Sequence, residues 1–153
     1  MFDPGPENLT SVIESALYKN PSARNPQPLF FGPITVWGLC PHHLLPVKYK
    51  VWVGYKPMLY VTGISKIPRV VKGIFKVPRI QELSTVQLCK LIHNCKLNPG
   101  STLVRAIGLH TCAAARGVQV DCPVVSFESE GIVQSSLAQE FLQYCSTKTD
   151  IWI

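Results

Sequence analysis

Two short segments carry the residue types that bind soft divalent metals and move protons: Cys40-Pro41-His42-His43 and His110-Thr111-Cys112. Thiolate and imidazole are the donors zinc prefers, and a catalytic zinc site takes three protein ligands while leaving a fourth position for water. Cys40, His43 and Cys112 make such a Cys2His set. His42 and His110 are then left beside the metal for proton transfer, which imidazole suits because it titrates near neutrality. A closed structural zinc, with His110 or His42 as fourth ligand, stays open on residue types alone. Against it, structural sites usually carry cysteines paired two to four residues apart, and no such pair occurs in the chain.

Anion-binding chemistry has its own candidates. Lys66, Arg69, Lys72 and Lys76 recur at spacings that put them along one side of a helix starting at Ser65. A helix N-terminus with nearby Lys and Arg suits a phosphate; a solvated helix face is the plainer explanation. Arg116, just beyond Cys112, adds a positive charge to that segment. In Gln81-Glu82, a pocket carboxylate would accept from two N–H groups on the Watson–Crick edge of guanine, whereas an exposed carboxylate favoured by the helix dipole is the commoner occurrence.

The elements that must position these groups follow from periodicity. Leu9, Val12, Ile13, Ala16 and Leu17 predict a helix over 8–18, and Pro21, Pro26 and Pro28 predict an extended connection after it. Residues 29–39, 48–55 and 58–62 read as strands. Ser65 predicts a helix start, with Pro68 tolerated in the first turn and the helix running to about Phe75. A second helix is expected from Gln81 to Cys95, stopped by Asn98-Pro99-Gly100. Residues 102–111 and 124–128 read as strands, and 137–144 as a last helix. On a strand, His110 and Cys112 share a face, which groups them at one site. The order predicts an α+β domain whose helices are segregated from an antiparallel sheet.

At 153 residues the chain fits one domain, 1–153, with 1–28 a short helix and linker. Hydrophobic residues at 46% and charged residues at 16% exclude disorder. A net charge of +6 points to an anionic partner: nucleic acid, membrane surface or phosphorylated small molecule. Asp3, Glu7 and Glu14 interrupt the first twenty residues, and no apolar run reaches the roughly 20 residues of a bilayer span. A cytoplasmic, reducing setting is therefore expected, with the six cysteines as ligands, nucleophiles or core residues. Cys89 and Cys95 read as core, and Cys122 and Cys145 match no ligand position.

Taken in order, these segments resemble the GTP cyclohydrolase I family. Its Cys-Glu-His-His-Leu-Leu-Pro segment is matched by Cys40 to Pro46 except at Pro41, and its Gly-Leu-Ser-Lys-x-x-Arg segment by Gly63 to Arg69. Its Gln-x-Gln-Glu run keeps Gln81 and Glu82, and its Thr-His-x-Cys-x-x-x-Arg-Gly-Val-Gln motif corresponds to Leu109 through Gln119. The resemblance implies a zinc ion on Cys40, His43 and Cys112, activating water for attack on C8 of GTP. It further implies His110 protonating the imidazole ring as formate leaves, His42 assisting near the ribose, and Glu82 with Gln81 gripping the guanine. Ser65, Lys66, Arg69 and Arg116 would hold the triphosphate, and the product would be 7,8-dihydroneopterin triphosphate. The implied fold is the tunnelling fold, whose sheets join into an oligomeric barrel with active sites between subunits, here a homodecamer. Membrane and nucleic acid are not expected partners.

Pro41 removes a carboxylate beside the metal, and residues 120–125 depart from the family's Ser/Thr-rich pattern. Two rivals stay in view. One is a non-hydrolytic tunnelling-fold enzyme acting on pterins or deazapurines. The other is a zinc-stabilised nucleic-acid module, which needs basic residues interleaved with stacking aromatics. The downstream pathway, the cellular or viral source, the physiological metal and any feedback regulation are not written in these residues.

Overall fold

The computed structural model describes residues 5–114, 119–120 and 122–147. Its elements are α1 (Gly5–Glu14), β1 (Leu17–Lys19), β2 (Leu29–Leu39), β3 (Pro46–Lys56), β4 (Tyr60–Thr62), α2 (Lys66–Phe75) and α3 (Gln81–His93). They are followed by β5 (Ser101–His110), a single turn α4 (Thr111–Ala114), β6 (Val124–Gly131) and α5 (Ser135–Ser146). One antiparallel sheet runs β2-β3-β5-β6, and β1 pairs with β4 in a separate two-stranded ribbon. The α+β class with an antiparallel sheet is thus observed. Among the described residues no helix is long and apolar enough to cross a membrane.

Alternation along β3 decides the layers. Val47, Tyr49, Val51, Val53 and Tyr55 are buried in one cluster with Leu9 and Ile13 of α1, Ile67, Val70 and Ile74 of α2, and Leu88 and Ile92 of α3. Trp52, between them, belongs to a second cluster with Leu103, Ile107 and Leu109 of β5 and Phe141 and Cys145 of α5. Three helices therefore cover one face, and α5 is added on the other.

Two local expectations change. The helix read over 8–18 ends at Glu14, and Leu17 instead opens β1, paired with Thr62. Thr62 Oγ1 donates to the Ile13 carbonyl at 3.0 Å and Gly63 N to the Ala16 carbonyl at 3.0 Å, so tertiary partners replace the next helical turn. The strand read through residue 111 ends at His110; Thr111–Ala114 turns into α4. Cys112 therefore does not share a strand face with His110, and a different geometry brings the two together.

Gly38 sets how closely the last turn of α2 approaches the sheet. A Cβ there would run into the Phe75 carbonyl oxygen and lie 2.9 Å from Tyr49 Cε2. Gly38→Ala is expected to destabilise the fold by about 1–3 kcal/mol, as overpacking does. The check is the midpoint of urea unfolding, and an unchanged midpoint would mean that α2 slides freely on β2.

Candidate active site

The site is built where β2, β3 and β5 end side by side. Cross-strand register sets Leu39 opposite Pro46 and Val47 opposite His110, so the residues following β2 and β5 meet at one edge. Cys40 comes directly after β2 and is only 7% exposed. Its amide donates to the Leu45 carbonyl at 2.9 Å and its carbonyl accepts from Leu44 N at 2.7 Å, closing a turn in which Leu44 holds φ at 52°. A left-handed leucine costs about 1–3 kcal/mol, and the paired hydrogen bonds hold it there. On the β5 side, Thr111 Oγ1 donates to the Pro46 carbonyl at 2.6 Å and ties α4 to the start of β3. That tie carries Cys112 back over the strand ends.

The outcome is one group: the ligand atoms of Cys40, His110 and Cys112 all lie within 4.8 Å of one another. His43, expected from its sequence position as the third ligand, is not in that group. It sits with His42 on the exposed turn after Cys40, their ring centroids 6.3 Å apart. His42 lines the cleft beside the group.

That cleft encloses about 470 Å³, and Pro41, Ile80, Gln81, Glu82, Ala113, Cys122 and Val124 complete its wall around the thiols and His110. Glu82 is exposed in the first turn of α3. Gln81, expected at a guanine edge, is 2% exposed and already engaged. Its Oε1 lies 3.0 Å from His110 Nε2, and its Nε2 donates to the Val124 carbonyl at 2.8 Å and to Ser126 Oγ at 3.0 Å. The side chain is spent inside the protein, leaving Glu82 as the carboxylate facing the cleft.

Electrostatics fit a cation. Loss of hydration pushes the Cys112 thiol up, and its hydrogen bond with Cys40 adds to the rise. Burial lowers His110 below the usual imidazole range, with Glu82 opposing. Tyr49, whose ring meets His110 edge-on at 6.2 Å between centroids, is pushed up to about 12 by burial and then by Cys40, Glu82 and Cys112. The Cys112 thiol resists ionising next to Cys40, and a divalent cation would reverse that by stabilising the thiolate. A neutral imidazole next to two thiols is likewise a donor set that zinc accepts.

Ser65, Lys66 and Arg69 do not line this cleft. Ser65 caps α2 without a side-chain hydrogen bond, Lys66 is half-buried and Arg69 is exposed. Arg116 lies outside the described residues. Tyr49 and Cys122 were missed as site residues in the sequence. Tyr49 reads as one more alternating core position of β3, and Cys122 lacks the spacing that marks a ligand.

The sequence comparisons agree on one family. A family model described as GTP cyclohydrolase I matches residues 7–146. A protein named GTP cyclohydrolase 1 from Porphyromonas gingivalis is 32% identical over 138 residues, 89% of this chain and 69% of that protein. Its namesake from Methylococcus capsulatus is 33% identical over 145 residues, 93% of this chain and 76% of that protein. The one from Caldivirga maquilingensis is 38% identical over 107 residues, covering 69% and 56%. Among solved structures, an archaeosine synthase QueF-Like in the apo form superimposes with a TM-score of 0.56 over 76% of this chain and all of that one. At 18% identity that likeness concerns the fold alone.

Proposed function

The chain belongs to the GTP cyclohydrolase I family, and on that premise we propose that it hydrolyses GTP at C8 to formate and 7,8-dihydroneopterin triphosphate. The observation that carries this reading is the meeting of two thiols, an imidazole and a carboxylate at one cleft, Cys40, Cys112, His110 and Glu82. Residues 1–153 act as a single domain, working in the cytoplasm.

Zinc is the ion this donor set suits, held by Cys40 and Cys112 with His43 as third ligand in line with the family motif. When bound by these residues, zinc would supply Lewis acidity for the attack of water on C8 near neutral pH. Glu82 accepts from the two N–H groups on the guanine edge and fixes the base over the thiols. His110 delivers a proton to the imidazole ring of the base as it opens. His42, on the cleft wall, assists proton transfers at the ribose. The balance is one GTP and one water to one formate and one dihydroneopterin triphosphate.

Ser65, Lys66, Arg69 and Arg116 hold the triphosphate, and the first three act across a subunit boundary in a homo-oligomer, with a decamer as its expected size. That Ser65, Lys66 and Arg69 do not line the cleft supports this, as do β2 and β6, the outer strands of the sheet among the described residues.

A second reading has a specific observation behind it: His110, not His43, lies within 4.8 Å of the thiols and could be the third ligand. Zinc content separates the two. His43→Ala is expected to lose the metal; a His43→Ala protein with full zinc would hand that role to His110.

The deciding experiment is formate release from GTP by metal-quantified protein, with and without a chelator. Chelator-sensitive formate, accompanied by a fluorescent pterin after oxidation, is the expected result. Bound zinc without formate would overturn the reading and direct attention to Pro41. Turnover of a pterin or deazapurine that ignores the chelator would favour a non-hydrolytic enzyme of the same fold.

A further inference from the structure

We propose that Gln81 is a positioning residue that fixes the tautomer of His110, holding its proton on Nε2 and leaving Nδ1 as the ring's only lone pair. The inference deepens the proposed function, because it specifies the atom through which His110 takes and gives its proton.

Hydrogen-bond bookkeeping leads to this tautomer. The Gln81 amide nitrogen faces two carbonyl oxygens, Val124 at 2.8 Å and Ala106 at 3.3 Å, and Ser126 Oγ at 3.0 Å. Carbonyl oxygens only accept, so the nitrogen end of the amide must be the one turned toward the sheet. Its neighbours agree. Thr85 Oγ1 donates its one proton to the Gln81 carbonyl at 2.9 Å, so Ser126 Oγ donates to Thr85 Oγ1 at 2.7 Å and accepts from Gln81. The oxygen end of Gln81 therefore lies 3.0 Å from His110 Nε2. An amide oxygen cannot donate, so Nε2 carries the hydrogen.

Two further contacts hold the arrangement. Gln81 is 2% exposed, so its amide is held out of bulk water. Gly108 lies under the pair: a Cβ there would run into Gln81 Oε1 and lie 3.0 Å from Tyr49 Cε1. Tyr49, edge-on to the imidazole, sets the ring plane while Gln81 sets its proton. Nδ1 is then the acceptor and the departure point of the mobile proton. The Nε2–H···O bond fixes the ring's orientation toward the cleft. If His110 instead serves as a metal ligand, the same bond makes Nδ1 the ligating atom.

The test uses zinc-loaded protein labelled with ¹⁵N in histidine imidazoles, together with steady-state formate release. In the wild type, His110 should show a proton on Nε2 protected from solvent exchange and a bare Nδ1. Gln81→Met keeps the length of the side chain and removes the acceptor. It should lose the protected Nε2–H and lower kcat by about 10- to 100-fold, the usual cost of losing such a partner, with KM for GTP little changed. Gly108→Ala displaces Oε1 without deleting any polar group, and should reproduce the loss of the protected proton even if Gln81→Met does not fold. A wild-type neutral ring protonated on Nδ1 would overturn the proposal. So would full kcat in Gln81→Met, which would leave Gln81 only a sheet anchor. Absence of formate from the wild type would count against the proposed reaction instead, and the spectra would still decide the role of Gln81.

Discussion

Cys112→Ala is expected to lose its zinc and to bring formate release down to background. Cys40 and Cys112 are the two thiols of the cluster, and the Cys112 thiol, pushed up by burial and by Cys40, gains its thiolate form from a bound cation. With one removed, the remaining thiol and a neutral imidazole make a weak, open site that dilution and chelation empty. The Lewis acid contributes several kcal/mol of transition-state stabilisation, and each 1.36 kcal/mol is tenfold in rate, so a fall of at least about 10³-fold follows. The fold should survive, because Cys112 sits on the single-turn helix α4 and lies at the edge of the core. The measurement is metal content by mass spectrometry alongside formate release and far-UV circular dichroism. Stoichiometric zinc in a folded Cys112→Ala protein would show the ligand assignment to be wrong.

His110→Ala is expected to do the opposite with the metal: zinc stays, and ring opening is lost. General acid–base catalysis contributes about 10²- to 10⁴-fold, so formate release should fall by that factor while GTP still binds. Retention of zinc follows if His43 completes the ligand set, and loss of zinc follows if the cluster of Cys40, Cys112 and His110 is itself the ligand set. The variant therefore separates proton transfer from ligation in one preparation. Its stability should change modestly, because the Gln81 amide oxygen loses its buried partner. A His110→Ala protein with full zinc and undiminished formate release would remove His110 from the chemistry altogether.

Much of the candidate site was legible before any fold. Cys40, Cys112, His42, His43 and His110 stand out by type, because few other roles bring thiols and imidazoles so close along a chain. Glu82 at the head of a helix and the basic residues from Lys66 onward were visible for the same reason. The strand 29–39, most of the strand that the sequence placed at 124–128, and the helices beginning at 66 and 81 came through because alternation and helical spacing are local properties. The helix read through Tyr18 was cut short by hydrogen bonds from Thr62 and Gly63, and no periodicity announces a partner that distant.

By itself, then, the order of residues determined the donor types, the family motifs and most of the secondary elements, because each depends on neighbours along the chain. Only the tertiary structure decided which donors meet. The register that sets Val47 against His110, and the Thr111 hydroxyl that folds α4 over Pro46, brought Cys112 to Cys40 by a route other than strand alternation. The same packing turned Gln81 inward onto His110 and left Ser65, Lys66 and Arg69 away from the cleft. Such convergence rests on pairings between residues remote in sequence, whose energies come from burial and hydrogen bonding across the sheet. Spacing along a chain does not record those energies.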